Sequence, residues 1–81
     1  MRVNVLLFAS YADLAGRERL EVTVPGPATV ADVVRQVRAL VPGLDQLPDR
    51  PLAALNQAHV RLDAPVAEGD ELALLPPFAG G

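Results

Sequence analysis

The stretch RERLEVTVPGPATVADVVRQVRALVPG, residues 17–43, carries the two periodicities that decide the fold. Its first eight residues alternate, with Arg17, Arg19, Glu21 and Thr23 on one side and Leu20, Val22 and Val24 on the other. That is the pattern of a half-buried strand, whose side chains point to opposite faces in turn. Pro25-Gly26-Pro27 interrupts it. From Thr29 onward the period becomes helical: Val30, Val33, Val34, Val37, Leu40 and Val41 form a single apolar stripe, and Arg35, Gln36 and Arg38 take the wet side. Thr29 is placed to cap the free N–H groups, Asp32 sits three residues on where a capping-box acid belongs, and Pro42-Gly43 ends the helix. Valine lowers intrinsic helix propensity, so a helix with this stripe must be held by packing against another layer.

The flanking sequence supplies that layer. RVNVLLFA, residues 2–9, is apolar, β-branched and of strand length, with Val3, Val5 and Leu7 on one face and Asn4, Leu6 and Phe8 on the other. SYADLAG, residues 10–16, suits a turn or a single helical turn stopped by Gly16, and the short connection makes a hairpin of the first two strands. Residues 42–51 carry three prolines and read as a loop. Short strands are expected over Leu52–Asn56 and His59–Leu62, then a turn at Glu68-Gly69-Asp70. ELALL, residues 71–75, is a nearly continuous apolar run of the kind found in a central strand, and Pro76-Pro77 stops it. The expected fold class is α+β, a mixed sheet of four to five strands with one main helix across one face. The helical stripe would bury against Val3, Val5, Leu7, Leu20, Val22, Leu72 and Leu74. Residues 1–77 are expected to form one domain, with 78–81 as a flexible tail.

Composition narrows the function. With 81 residues there is room for one domain, and 51% hydrophobic residues give it a core. The absence of cysteine removes disulfides, cysteine-ligated metal and thiol nucleophiles. The clustered acids Asp63, Glu68, Asp70 and Glu71 read as a solvated turn rather than a metal site, so no metal is expected. A net charge of −3 gives no footing for nucleic acid and suits a protein partner with a basic surface. All seven basic residues are arginine, so the chain offers no lysine as an acyl acceptor. No signal peptide or membrane-length apolar run is seen, and a soluble cytoplasmic protein is expected.

The ending, Phe78-Ala79-Gly80-Gly81, is where chemistry is expected. It follows a buried strand and a stiff Pro-Pro, and glycine is slim and conformationally free. Such a tip can thread a narrow slot in a partner and present its carboxylate there. An ionised carboxylate resists attack at carbon but can itself attack the α-phosphate of ATP. The resulting acyl-adenylate is then open to a sulfur nucleophile, with this chain as substrate rather than catalyst.

Taken together, RVNVLLFA, LAALNQ at 52–57, EGDELALLPP at 68–77 and the terminal Gly80-Gly81 resemble the small, sulfur-carrying subunit of molybdopterin synthase, within the ubiquitin-like β-grasp group. The likeness spans essentially the whole chain. It implies that a ubiquitin-activating-like adenylyltransferase uses ATP to adenylate Gly81, that a thiocarboxylate is installed, and that the large synthase subunit then binds the carrier. Sulfur passes there to a cyclic pterin phosphate. This chain would be a non-catalytic subunit that binds no cofactor itself, and Gly81 would be the reactive residue with Gly80 threading before it.

Strand parity adds a docking surface. Phe8, His59 and Leu75 point away from the helix, near the root of the tail, and with Pro77, Phe78, Ala79 and Gly80 they are the expected partner contacts. Three other functions share parts of this pattern. They are a sulfur carrier for thiamine thiazole synthesis, a ubiquitin-like protein modifier conjugated through Gly81, and a plain interaction domain.

Overall fold

The computed structural model describes residues 1–48 and 50–77. The elements follow in the order β1 (Arg2–Leu7), α1 (Ser10–Ala15), β2 (Arg19–Thr23), β3 (Ala28–Thr29), α2 (Val30–Leu40), a 3₁₀ turn (Leu44–Gln46), β4 (Leu52–Leu55), β5 (Ala58–Val60), β6 (Pro65–Val66) and β7 (Glu71–Leu75). Five strands form one mixed sheet in the order β2-β1-β7-β4-β5, and β3 pairs with β6 in a separate two-stranded ribbon. β7 is the middle strand, parallel to β1 and antiparallel to β4. The apolar run ELALL has this position because only a strand with neighbours on both sides buries so many of its groups.

The helix forms as its sequence dictates. The Thr29 hydroxyl accepts from the Asp32 N–H at 3.4 Å, while Asp32 Oδ2 accepts from the Thr29 N–H at 2.8 Å. This reciprocal capping box satisfies two of the helix's open donors. The first two helical N–H groups, of Val30 and Ala31, donate to the carbonyls of Ala64 and Leu62 at 2.9 Å. Val30, Val33, Val34 and Val37 are buried against Val3, Val5, Leu7, Val22, Leu72 and Leu74 in one core, with Leu20 partly buried at its margin.

Three expectations change. Leu40, assigned to the buried stripe, is 57% exposed, because α2 ends there and the last turn runs past the edge of the sheet. Val41, extended at the C-cap, is only partly buried. Residues 42–51 are more than a loop. Gly43 turns the chain at φ 94°, and the 3₁₀ turn behind it sends Leu44 and Leu47 into the core. The β3–β6 ribbon was not expected; it ties the start of α2 to the segment before β7. SYADLAG is a short helix closed by Gly16 in the left-handed region, φ 72°, and it buries Tyr11. The Tyr11 hydroxyl finds no hydrogen-bond partner among the described residues, and its desolvation raises the phenol's pKa.

Candidate functional site

The register of the sheet fixes what surrounds the end of β7. On the face away from α2, Leu6 of β1 stands opposite Ala73 of β7, which stands opposite Ala54 of β4. One step nearer the end of β7, Leu75 pairs with Leu52, and Phe8, following directly on β1, continues the same parity. These six residues make an apolar block three strands wide. Phe8 is 44% and Leu52 47% exposed, so the block meets solvent. Pro76 and Pro77 leave from its central strand.

Charge is segregated around this block. Arg19 of β2 lies beside Leu6, and His59 of β5 lies beside Ala54. Arg61 follows the end of β5, with its side chain in solvent. The apolar rows are thus flanked by basic side chains on both sides. The row behind them is polar and acidic, with Glu21 opposite Asn4 and Asn4 opposite Glu71. Net charge alone pointed to a partner with a basic surface; at this face Arg19 flanks one edge, near Glu18, and Arg61 the other, loosely paired with Asp63, while Glu21, Glu68, Asp70 and Glu71 lie toward the other end of the strands.

That other end is clamped. The β4–β5 turn places Asn56 and Gln57 at φ 50° and 73°. Asn56 Nδ2 donates to Asp70 Oδ1 at 3.1 Å, and Asn56 Oδ1 accepts from the Glu71 N–H at 3.0 Å. Asp70 Oδ2 accepts from the Ala67 N–H at 2.8 Å. Glu68 takes the Arg2 N–H at 2.8 Å and its Nε at 3.0 Å. These bonds, the Arg2 N–H foremost, hold the Glu68 carboxyl below its ordinary range. The acidic turn is therefore a hydrogen-bonded anchor for the start of β7, in keeping with its reading as a turn. Its opposite end is the one that carries the apolar block.

Of the residues expected from sequence to make the site, Phe8, Leu75 and His59 share the outer face. Phe8 and Leu75 adjoin, while His59 stands at the flank in the row of Ala73. Pro77 is exposed. Phe78, Ala79, Gly80 and Gly81 lie outside the described residues. Leu52 was missed: it reaches this face through the β4–β7 register, which sets it opposite Leu75.

The strand order and single crossing helix define the ubiquitin-like β-grasp fold. Residues 5–81 match the ThiS family, and the chain belongs to it. The molybdopterin synthase sulfur carrier subunit of Chlamydomonas reinhardtii is 35% identical, over 100% of each chain. The small archaeal modifier protein 1 of Haloferax volcanii is 36% identical, over 93% of this chain and 95% of that one. Its crystal structure superposes with a TM-score of 0.88 at 34% identity, covering 100% of both chains. A complex of subunits 1 and 2 of the molybdopterin-converting factor from Helicobacter pylori also matches, with a TM-score of 0.69, 26% identity and 100% of both chains covered. No helix among the described residues is long and apolar enough to cross a membrane.

Proposed function

We propose that this chain is a sulfur carrier in molybdenum-cofactor biosynthesis, with the carboxylate of Gly81 as its working group. One observation carries the reading: a full-length match to sulfur carrier subunits coincides with an exposed apolar block centred on the strand that leads into Gly80-Gly81. In the cycle proposed, the carboxylate oxygen attacks the α-phosphate of ATP held by an adenylyltransferase partner, and pyrophosphate leaves. A sulfur nucleophile then attacks the acyl carbon, AMP leaves, and a thiocarboxylate remains. The large synthase subunit receives it, and sulfur passes to a cyclic pterin phosphate. ATP and the catalytic side chains belong to the partners, and the cytoplasm is the compartment proposed.

A large-subunit partner is supported by the Helicobacter pylori complex of subunits 1 and 2, and the outer face is the docking surface proposed for it. Phe8, Leu52 and Leu75 supply apolar contact there, with Pro77, Phe78, Ala79 and Gly80 as further partner contacts. Deleting Gly81 tests the reading: sulfur transfer is abolished while the thermal midpoint and large-subunit binding stay near those of the parent chain. Retained transfer overturns it.

A second reading has its own support. The similarity to small archaeal modifier protein 1 favours a protein modifier that uses the same carboxyl terminus. Covalent adducts on other polypeptides, formed through Gly81, would mark that role. Lacking lysine, this chain would offer no side-chain amine for extension.

A further inference from the structure

A recess lies on the open edge of β5, next to the start of β4. It encloses about 1020 Å³, and its walls come from the start of α2, the start of β4, and residues 59–63. The plane of the sheet runs through it. By parity within β5, His59 stands on the outer side and Val60 on the inner; past the strand end, the Arg61 side chain is in solvent, and Leu62 packs against the core near Ala31.

The backbone at this edge is free to pair. Among the described residues, β5 has β4 as its only neighbour in the sheet. The two residues of its hairpin turn both have positive φ, so Leu55–Ala58 is the closing hydrogen-bonded pair. Hydrogen-bonded and non-bonded pairs alternate in an antiparallel ladder, which makes Ala54–His59 a non-bonded pair. The His59 N–H and C=O therefore point away from β4, into the recess. Among the described residues, no backbone hydrogen bond from outside the β4 ladder reaches Ala58–Val60. An exposed edge with unpaired groups is a template for an added strand. The slot is short, because the Leu62 and Ala64 carbonyls already accept from Ala31 and Val30.

A strand laid along this edge sends alternate side chains to the two sides of the sheet. Those on the inner side meet Val60, Leu62 and Ala31. Those on the outer side meet Arg61 and His59, with Arg50 on the wall. Asp63 approaches Arg61 only to 3.8 Å, with both side chains at least 80% exposed, and a pair so loose leaves the guanidinium open to a better partner. We infer that the open edge of β5 receives an extended segment of a partner protein, bearing alternating apolar and acidic side chains, as an added strand. Leu52 borders both the recess and the apolar block, so a partner seated on the outer face can reach this edge without a gap. The inference does not depend on the chemistry of Gly81.

The test is an NMR titration of the isotope-labelled full chain with a short blocked peptide alternating Val and Glu. Saturable shifts are expected at the amides of His59 and Arg61, with slowed hydrogen exchange at His59. Arg61→Glu, at a side chain 90% exposed and with the thermal midpoint checked against the parent, should weaken binding about tenfold, and a peptide alternating Val and Lys should bind weaker by a similar factor. Shifts confined to Leu6, Ala73 and Leu75, equal binding of the two peptides, or no saturable shift would each overturn the inference. Loss of sulfur transfer on deleting Gly81 would leave this titration unchanged, so the two proposals fail separately.

Discussion

Replacing Phe8 with alanine tests the docking face quantitatively. Phe8 is 44% exposed in the isolated chain. With about 200 Å² for a phenylalanine side chain, some 90 Å² remains for a partner to cover. At about 25 cal/mol per Å² that area is worth about 2 kcal/mol, or roughly a 30-fold change in affinity. The half already buried bears on folding, so a loss of thermal stability accompanies the change and must be measured beside it. Phe8→Asp adds the cost of desolvating a carboxylate in the block and should weaken binding further, without unfolding the domain. The assay is calorimetric titration of the large synthase subunit with each variant, at a temperature where circular dichroism shows all of them folded. Unchanged affinity for both variants would refute the placement of the interface on this face.

Gly43→Ala should lower the thermal midpoint by roughly 10 °C or more, because a Cβ there drives into the Leu14 carbonyl oxygen and the residue holds φ 94°; a midpoint within a degree or two of the parent would mean that the turn readily reshapes. Acid should destabilise the domain. Asp32 is held low first by the Thr29 N–H, and Glu68 by the Arg2 N–H, so each carboxylate favours the folded state above its unfolded pKa. That contribution is lost as pH falls through the folded value, and the midpoint should drop below about pH 4 and stay flat near neutrality. Glu68→Gln should blunt the acid-induced drop; a midpoint that rises on acidification would contradict the assignment.

Much of this fold was legible because its signals are local. The alternation in RERLEVTV, the stripe from Val30 to Val37 and the capping pair Thr29 and Asp32 each act within one element, and each appears where the sequence puts it. What escaped depends on distant neighbours. Nothing in LDQL announces burial, yet Leu44 and Leu47 are pulled inward because the Gly43 turn lays them against α2 and the core. The two-residue strands Ala28–Thr29 and Pro65–Val66 are too short to show any period. Leu40 illustrates the opposite error: periodicity continued past the point where the sheet could cover it.

The docking face was partly readable for the same reason. Parity through β1 and β7 located Phe8 and Leu75, whereas Leu52 needed the β4–β7 register, which no local pattern encodes. The flanking cations were hidden by a net charge that sums over the whole chain. Arg19 and Arg61 come to flank the block on opposite sides only when β2 and β5 take the two edges of the sheet.

The central claim is that the terminal carboxyl group is the chemical handle. Intact-mass measurement of the chain purified from its native cells, followed by fragmentation, addresses it most directly. A population heavier by the exchange of one oxygen for sulfur, with the added mass on Gly81, lost on hydrolysis to the carboxylate and captured by alkylation of the sulfur, is the expected result. A chain that carries no sulfur at its terminus under conditions where molybdenum cofactor is being made would contradict the account.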